Sequence, residues 1–387
     1  MRIVHTCLRY PPATGGVERY VQEIAQRTRR VSPDATDQSL RDVRVLTSTM
    51  RTHRPISELA REALQDDPPY VQRLRAKDTP LISYPRLQGL SHYLGHHQPD
   101  VVHGHSFWYQ PADAAARYAR SHDIPFIFHP IYYENALRRK WQWQLYKHTI
   151  GRATFAAADV VAVISPFEQE LIERSGLPVK RFELISPGVD EAVLTTAQPN
   201  PFAEISRRGP VMLSVSRLSL GKGLKAVFRA LPEVLKAVPD AQFVLVGEDF
   251  GIQSDLEAAA ETLGVTAHVH FAGRLSDMAL VGAYQHAALL VHPTQYEAFG
   301  IVLAESLAAG TPVVARNVSA VPYVAPDQEV GLLFEENKEL ADKLITLLQD
   351  RSLRERFGQA GQRRVRENFS WEGSIDKITS LYDELLG

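Results

Sequence analysis

Residues 296–315 read YEAFGIVLAESLAAGTPVVA. They follow an apolar run, LLVHPT at 289–294, and end in another, PVVA at 312–315. The stretch therefore reads strand, loop, helix, strand. Gly310 is a natural helix C-cap and Pro312 prevents the helix from continuing. Glu297 falls in the loop before the helix and Glu305 inside it. One carboxylate at the helix mouth and one further in would line the same wall. Ionised carboxylates strengthen the hydrogen bonds that sugar hydroxyls donate, and a helix N-terminus suits a diphosphate. Taken alone, the pair reads more plainly as an acid favouring the helix dipole and a solvated helix residue. The surrounding pattern argues against that plainer reading.

The same β-then-α alternation extends in both directions. Towards the C-terminal side of the chain's middle, Val211–Val215, Phe243–Val246, Val269–Phe271, Leu289–His292 and Pro312–Ala315 read as strands, with helices over Leu224–Val238 and Asp255–Leu263. In the first half, Ile3–His5, Val43–Leu46, Val101–His103, Phe126–Phe128, Val160–Val163 and Leu184–Ile185 read as strands. Most are uniformly apolar, as in parallel sheets covered on both faces. Val17, Tyr20, Val21 and Ile24 keep helical spacing between the first two. Two such sets predict an α/β chain of two Rossmann-like, doubly wound domains facing across a cleft. The polar stretch 196–209, broken by Pro199 and Pro201, marks the break. The expected domains are 1–200 and 201–368, with a terminal helix in 369–387 returning to the first domain. Residues 51–75, charged and weakly periodic, read as a mobile excursion.

Ligands of doubly wound sheets bind beyond the carboxyl ends of the strands. In SVSRLSLGKG, residues 214–223, Arg217 ends a strand and Lys222 stands between Gly221 and Gly223. A planar fork and a point charge there make a diphosphate clamp, although an isolated pair is more often solvated charge. The spacing is not that of a Walker P-loop. In TGGVERYV, residues 14–21, Gly15 and Gly16 open the first helix and allow close backbone approach. His129 follows a strand. Ser165 and Gly188 are also post-strand, and read best as a helix cap and a turn.

The chain has 387 residues, 44% hydrophobic and 23% charged, with Lys+Arg 43 against Asp+Glu 45. These proportions exclude a disordered or low-complexity protein and give no global electrostatic grip on nucleic acid. One cysteine, Cys7, allows neither an intrachain disulfide nor a Cys-rich zinc site. No apolar run approaches the length of a bilayer span, and the N-terminal residues lack a signal-peptide core. The expectation is a cytoplasmic protein, with peripheral contact at the inner face of a membrane left open.

Taken together, GGVERYV, the HGH after Val102, His129, LISPGVD, SRLSLGKG, VLVGE, FAGR, YEAFGIVLAE and NFSWEGSIDKITSLYDEL resemble, in order, the retaining glycosyltransferases of the GT-B fold, of the large family-4 type. The resemblance covers nearly the whole chain, and the Glu-x7-Glu spacing is its most specific part. It implies that Glu297 contacts hydroxyls of a donor sugar and Glu305 the ribose of its nucleotide. It implies that Arg217 and Lys222 neutralise the diphosphate, that Gly16 brings its backbone N–H near it, and that Gly15 belongs to the same donor-binding turn. Arg274 in FAGR would lie by the base, His129 near the reacting carbon, and Phe299, Gly300 and Ile301 would present backbone amides. This sequence has Ser before Arg217, where Gly is usual, and Ser-Pro-Gly before Val189, where Asn-Gly is commoner.

The implied reaction moves a sugar from a nucleoside-diphosphate sugar to an acceptor hydroxyl with retention, by front-face displacement. The chain contains no D-x-D motif, so the expectation is no metal and no cofactor, the two cations standing in for Mg²⁺. The acceptor would be a glycan or a lipid-linked one. The stretch 137–152, LRRKWQWQLYKHTIGR, mixes cations with Trp141, Trp143 and Tyr146, which suits either a helix on anionic lipid or an ordinary surface helix with packed aromatics. The rivals are a nucleotide-sugar 2-epimerase of the same fold and a non-catalytic nucleotide-sugar-binding scaffold subunit. A dehydrogenase is excluded, because no G-x-G-x-x-G follows the first strand.

Overall fold

All pairings of the first main sheet are parallel, as its unbroken apolar runs require. Its strands are β1 (Arg2–Thr6), β2 (Asp42–Ser48), β3 (Val71–Leu74), β4 (Val101–His105), β5 (Phe126–His129), β6 (Val160–Val163) and β7 (Phe182–Leu184). The computed structural model describes residues 1–13, 15–29, 41–53, 56–79, 84–134 and 140–387. The spatial order is β7-β6-β5-β4-β1-β2-β3. Strands β4, β5 and β6 are buried at every position. One face packs Val4, Leu46, Val102, Phe126, Phe128 and Val161 into a core with the alanines of helix Gln110–His122. Helix Gly16–Arg29 buries Tyr20, Val21 and Ile24 of the stripe that its periodicity predicts, with Ala25 beside them, while Val17 is half-buried.

The second sheet holds β8 (Val211–Val215), β9 (Gln242–Val246), β10 (Val269–Gly273), β11 (Leu289–His292), β12 (Val313–Arg316) and β13 (Gly331–Phe334). It is parallel throughout, in the order β10-β9-β8-β11-β12-β13. Both orders grow outward one way from the first strand and then jump to its other side. In the second sheet that reversal lies between β8 and β11. The loops leaving their carboxyl ends carry SRLSLGKG and PTQYEAFG, the place where such sheets bind ligands.

The chain divides into two compact units, Met1–Ser186 with Ser374–Gly387, and Pro187–Gly373. The break thus falls before the proline-broken stretch, not within it at 200. Gln285 explains why. On helix Asp277–His286 its amide donates to the carbonyls of Leu194 and Thr196, at 2.8 and 2.9 Å, and accepts from the Gln198 amide at 2.9 Å. The apparent linker is therefore laid onto the second unit. That unit's two ends meet: the Val189 N–H donates to Phe369 O at 2.9 Å, and Val189 bridges Ser370. A Cβ on Gly188 would stand 2.5 Å from the Trp371 backbone, so the expected turn at Gly188 is a close chain crossing.

Residues 51–75 also differ from expectation. Met50–His53 and Ile56–Glu58 form a hairpin, Arg61–Gln65 a short helix, and Val71–Leu74 pairs with β2 from Val45 to Ser48. Arg73 pins the excursion down, bonding Asp67 at 2.6 and 2.7 Å and the Ser48 carbonyl at 3.1 Å. A polar edge strand carries too few apolar residues to announce itself. Helix Trp371–Leu386 buries Ile378, Leu381 and Tyr382. No helix among the described residues is long and apolar enough to cross a membrane.

Candidate functional site

Two loops of the second unit are laced together. After β8 the chain makes a tight turn over Leu220–Lys222 that ends at Gly223. Gly223 has φ +68, and a Cβ there would meet Pro293 O at 2.1 Å, so only glycine lets the two loops approach. The Gln295 N–H then donates to Gly221 O at 3.1 Å. This contact places Lys222 beside Glu297, with Nζ 3.1 Å from Oε2. His292, the last residue of β11, brings Nε2 to 3.0 Å from the same oxygen. Burial resists charge on Glu297, but the His292 hydrogen bond and the Lys222 charge outweigh it and hold the carboxyl at about 2. Glu297 is thus ionised at any ordinary pH, and His292 Nε2 must carry the proton it donates.

Helix Ile301–Ala308 starts directly after Phe299 and Gly300. The amides of a helix's first turn have no intrahelical partner, so Phe299, Gly300 and Ile301 are placed where a phosphate or hydroxyl would meet N–H groups. Glu305 lies on this helix and accepts from the Tyr284 hydroxyl at 2.9 Å. Tyr284 is fully buried, and its carbonyl accepts from Thr311 Oγ1 at 2.6 Å. The donor oxygen is therefore fixed before any ligand arrives.

Arg217 is exposed, its guanidinium 5.2 Å from the Phe250 ring centroid. Phe250 is brought there because the loops after β8 and β9 continue to pair: the Leu218 N–H donates to Glu248 O at 2.9 Å and the Phe250 N–H to Leu218 O at 3.0 Å. Gly247, at φ +146, permits this; a Cβ would lie 1.9 Å from Ser216 O. Arg274 is exposed just after β10. The structure therefore brings Lys222 and Glu297 into contact and sets Arg217, Arg274 and Glu305 on loops and a helix of the same unit. Sequence reasoning missed His292, Tyr284 and Phe250.

Gly15, Gly16 and His129 belong to the first unit. The glycines are exposed at the start of helix Gly16–Arg29, where Glu18 pairs with Arg9 at 2.5 Å. His129, which the resemblance sets near the reacting carbon, is wholly buried. It joins a layer with His5, His103 and His105, all at 0% exposure. The parallel register sets His5 beside His103 and His105 beside His129, so all four rings leave one face of the sheet.

The rings form two edge-to-edge pairs. His5 Nδ1 lies 3.0 Å from His105 Nε2, with planes 16° apart, and His103 Nε2 lies 2.6 Å from His129 Nδ1, with planes 18° apart. The pairs stack, with the centroids of His103 and His105 4.5 Å apart. Tyr382 reaches His103 Nδ1 at 2.7 Å, and Tyr20 reaches both His129 Nε2 and Ile185 O at 3.0 Å. Tyr20 donates its proton to Ile185 O. His129 then donates to Tyr20, His103 to His129, and Tyr382 to His103, one direction throughout with every ring neutral.

Burial pushes His5 and His129 down to about 3, and His103 and His105 well below their ordinary value. His5, His103 and His105 offer nitrogens within 4.8 Å of one another. Both nitrogens of His103 are spent on Tyr382 and His129, so this grouping reads as a hydrogen-bonded stack rather than a metal centre. Close by, Ser165 caps helix Pro166–Ser175, as expected, and Glu168 accepts from the backbone N–H groups of Tyr132 and Ile164 at 2.6 and 2.8 Å.

The stretch 137–152 is only partly within reach, because residues 137–139 lie outside the described residues. Trp141 and Leu145 are 68% and 56% exposed. Tyr146 is buried, bonding Asp113, and Trp143 packs on Phe107. Lys147 is buried too, 3.6 Å from Glu134 and over the Trp143 ring. Lys147 is thus a packed cation and not part of a basic face.

Comparison with known proteins adds the following. A family model described as glycosyl transferases group 1 matches residues 200–364, and one described as glycosyl transferase 4-like domain matches residues 15–188. The D-inositol 3-phosphate glycosyltransferase of Corynebacterium efficiens is 33% identical over 242 residues, 59% of this chain and 57% of that protein. The phosphatidyl-myo-inositol mannosyltransferase of Mycobacterium tuberculosis is 30% identical over 257 residues, 62% and 67% of the two chains. The chain spans little more than half the length of the first of these relatives. Among solved structures, sucrose-phosphate synthase of Thermosynechococcus elongatus superposes with a TM-score of 0.75 at 21% identity, over 99% and 98% of the two chains. Anabaena HepE in complex with UDP-glucose superposes with a TM-score of 0.76 at 19% identity, over 99% and 100%.

Proposed function

The chain belongs to the glycosyl transferases group 1 and has their GT-B fold, and from this we propose that it moves a sugar from a nucleoside-diphosphate sugar to an acceptor hydroxyl, with retention and without a metal ion. The observation that carries the reading is the contact of Lys222 with Glu297 at the mouth of helix Ile301–Ala308. A cation for phosphate and a fixed carboxylate for hydroxyls meet there, beside free amides. In this reading Glu297 accepts from hydroxyls of the sugar, and Glu305, aimed by Tyr284, accepts from the ribose. Arg217 and Lys222 take up the charge that develops on the leaving diphosphate, usually a large catalytic effect. Arg274 lies by the base.

The bond from the anomeric carbon to the phosphate oxygen breaks while the acceptor oxygen bonds that carbon from the same face. The acceptor's proton passes to the departing phosphate oxygen, so no protein nucleophile is needed. Arg217 and Lys222 make Mg²⁺ unnecessary at this step. The acceptor class follows from two supports. Two relatives are named for inositol 3-phosphate and phosphatidyl-myo-inositol, and Trp141 and Leu145 stand exposed on one short helix. A phosphorylated or lipid-linked acceptor, met by peripheral contact with anionic lipid, fits both.

The test is a thermal-shift and turnover panel of UDP-, GDP-, ADP- and dTDP-sugars, for wild type and Glu305→Ala, with and without chelator. A ligand at about 100 times its Kd adds about 2.7 kcal/mol of stability. One nucleotide class should shift the protein, less in the variant, with turnover unchanged by chelator and the anomeric configuration of the product retained. Activity abolished by chelator and restored by Mg²⁺ would overturn metal independence. No shift with any nucleotide sugar would overturn the activity.

A further inference from the structure

The Glu297 carboxylate is used unevenly. Lys222 and His292 both approach Oε2, at 3.1 and 3.0 Å, while among the described residues no group donates to Oε1. Oε1 is thus the oxygen open to a sugar hydroxyl. The two partners of Oε2 differ in kind. Lys222 sits on a tight turn at the surface, its side chain 23% exposed on a flexible four-carbon stem. His292 ends a buried strand, its ring 3% exposed and fixed by the backbone of β11.

A diphosphate competes with Glu297 for Lys222. Once Nζ turns to the phosphate, Oε2 would lose a partner in a site whose burial already resists charge. Only the imidazole remains to hold it. We propose that His292 is the positioning residue of this site: through Nε2–H it keeps the Glu297 carboxylate fixed and aimed at the sugar while Lys222 serves the diphosphate. The inference rests on the glycosyl-transfer reading above and deepens it. It divides the labour, with Lys222 answering to the nucleotide and His292 to the sugar.

The division gives a split that a merely structural histidine would not. His292→Leu keeps an apolar strand end and removes the donor. His292→Gln keeps an N–H at similar reach. Binding is measured by calorimetry for a nucleoside diphosphate and its glucose or mannose sugar nucleotide, using whichever of the UDP, GDP, ADP and dTDP pairs binds wild type. Free diphosphate should bind His292→Leu within twofold of wild type, which also proves that the site is folded. The sugar nucleotide should lose about tenfold, the scale of a hydrogen bond to a charged group. His292→Gln should recover most of that loss. Equal weakening of diphosphate and sugar nucleotide, or none of either, would overturn the proposal, as would failure of Gln to rescue. If no pair of the four binds wild type, the glycosyl-transfer reading falls first and the positioning role with it.

Discussion

Acid should loosen the first unit above the ordinary carboxylate range, because of the histidine layer. An unfolded histidine titrates near 6.5, whereas burial holds His5 and His129 at about 3 in the folded protein. A group whose folded pKa is depressed below its unfolded one leaves stability intact above 6.5. As pH falls, the unfolded chain binds protons that the folded one refuses. Between pH 8 and pH 5 each of these two histidines costs about 2 kcal/mol, about 4 kcal/mol together. His103 and His105 act in the same direction.

One neighbour opposes them. Burial pushes the Glu168 carboxyl up to about 7, against the pull of two backbone N–H donors. Its raised pKa stabilises the fold at low pH, by about 2.5 kcal/mol over the same interval. The variant Glu168→Gln removes that offset and exposes the histidine effect. Three of the four tryptophans, Trp108, Trp141 and Trp143, belong to the first unit, so urea unfolding followed by fluorescence reports on it. At about 2 kcal/mol per molar urea, the midpoint of Glu168→Gln should fall by about 2 M between pH 8 and pH 5. Wild type should fall less. Coincident midpoints for Glu168→Gln at the two pH values would refute the assignment of four neutral, buried rings.

Two further variants probe other buried contacts. Tyr284→Phe deletes the hydroxyl on Glu305 and should raise the KM for the sugar nucleotide about tenfold at nearly constant kcat, as steady-state kinetics would show. Asp113→Ala strands the hydroxyls of Tyr84, Tyr146 and Thr154, which all donate to that buried carboxylate. It should cost about 3 kcal/mol by urea titration.

The sequence was most legible where local pattern carries the chemistry. The Glu-x7-Glu stretch encodes its own strand, loop and helix, so Glu297 and Glu305 could be placed from spacing. Lys222 and Arg217 announce themselves by their position after an apolar run. His292 did not, since a histidine ending LLVH looks like strand. Its meaning comes from a loop folded back at Gly223. The histidine layer was equally silent. HGH and an isolated His5 become one stack only through parallel register, and Tyr382 joins His103 across 279 positions. His129 was placed correctly at a strand end. Which face it leaves depends on helices that spacing does not locate. Strand β13 and the edge strand β3 were missed, the one as a four-residue run, GLLF, ahead of a charged stretch, the other for its polarity.

The second unit enters and leaves the first at neighbouring points, with Val189 bonded to Phe369. It is an insert, and that has a consequence in time. During synthesis the sheet β1–β7 is complete once Leu184 has emerged, but the hydroxyl that closes its histidine layer belongs to Tyr382. Residues 187–373 come between, and at about 5–20 residues per second they impose a wait of about 10–40 s. Through that interval the nascent first half carries polar rings with a vacant side. The ribosome therefore finishes the later unit before the earlier one can lock, and the first unit to start folding is the last to be sealed.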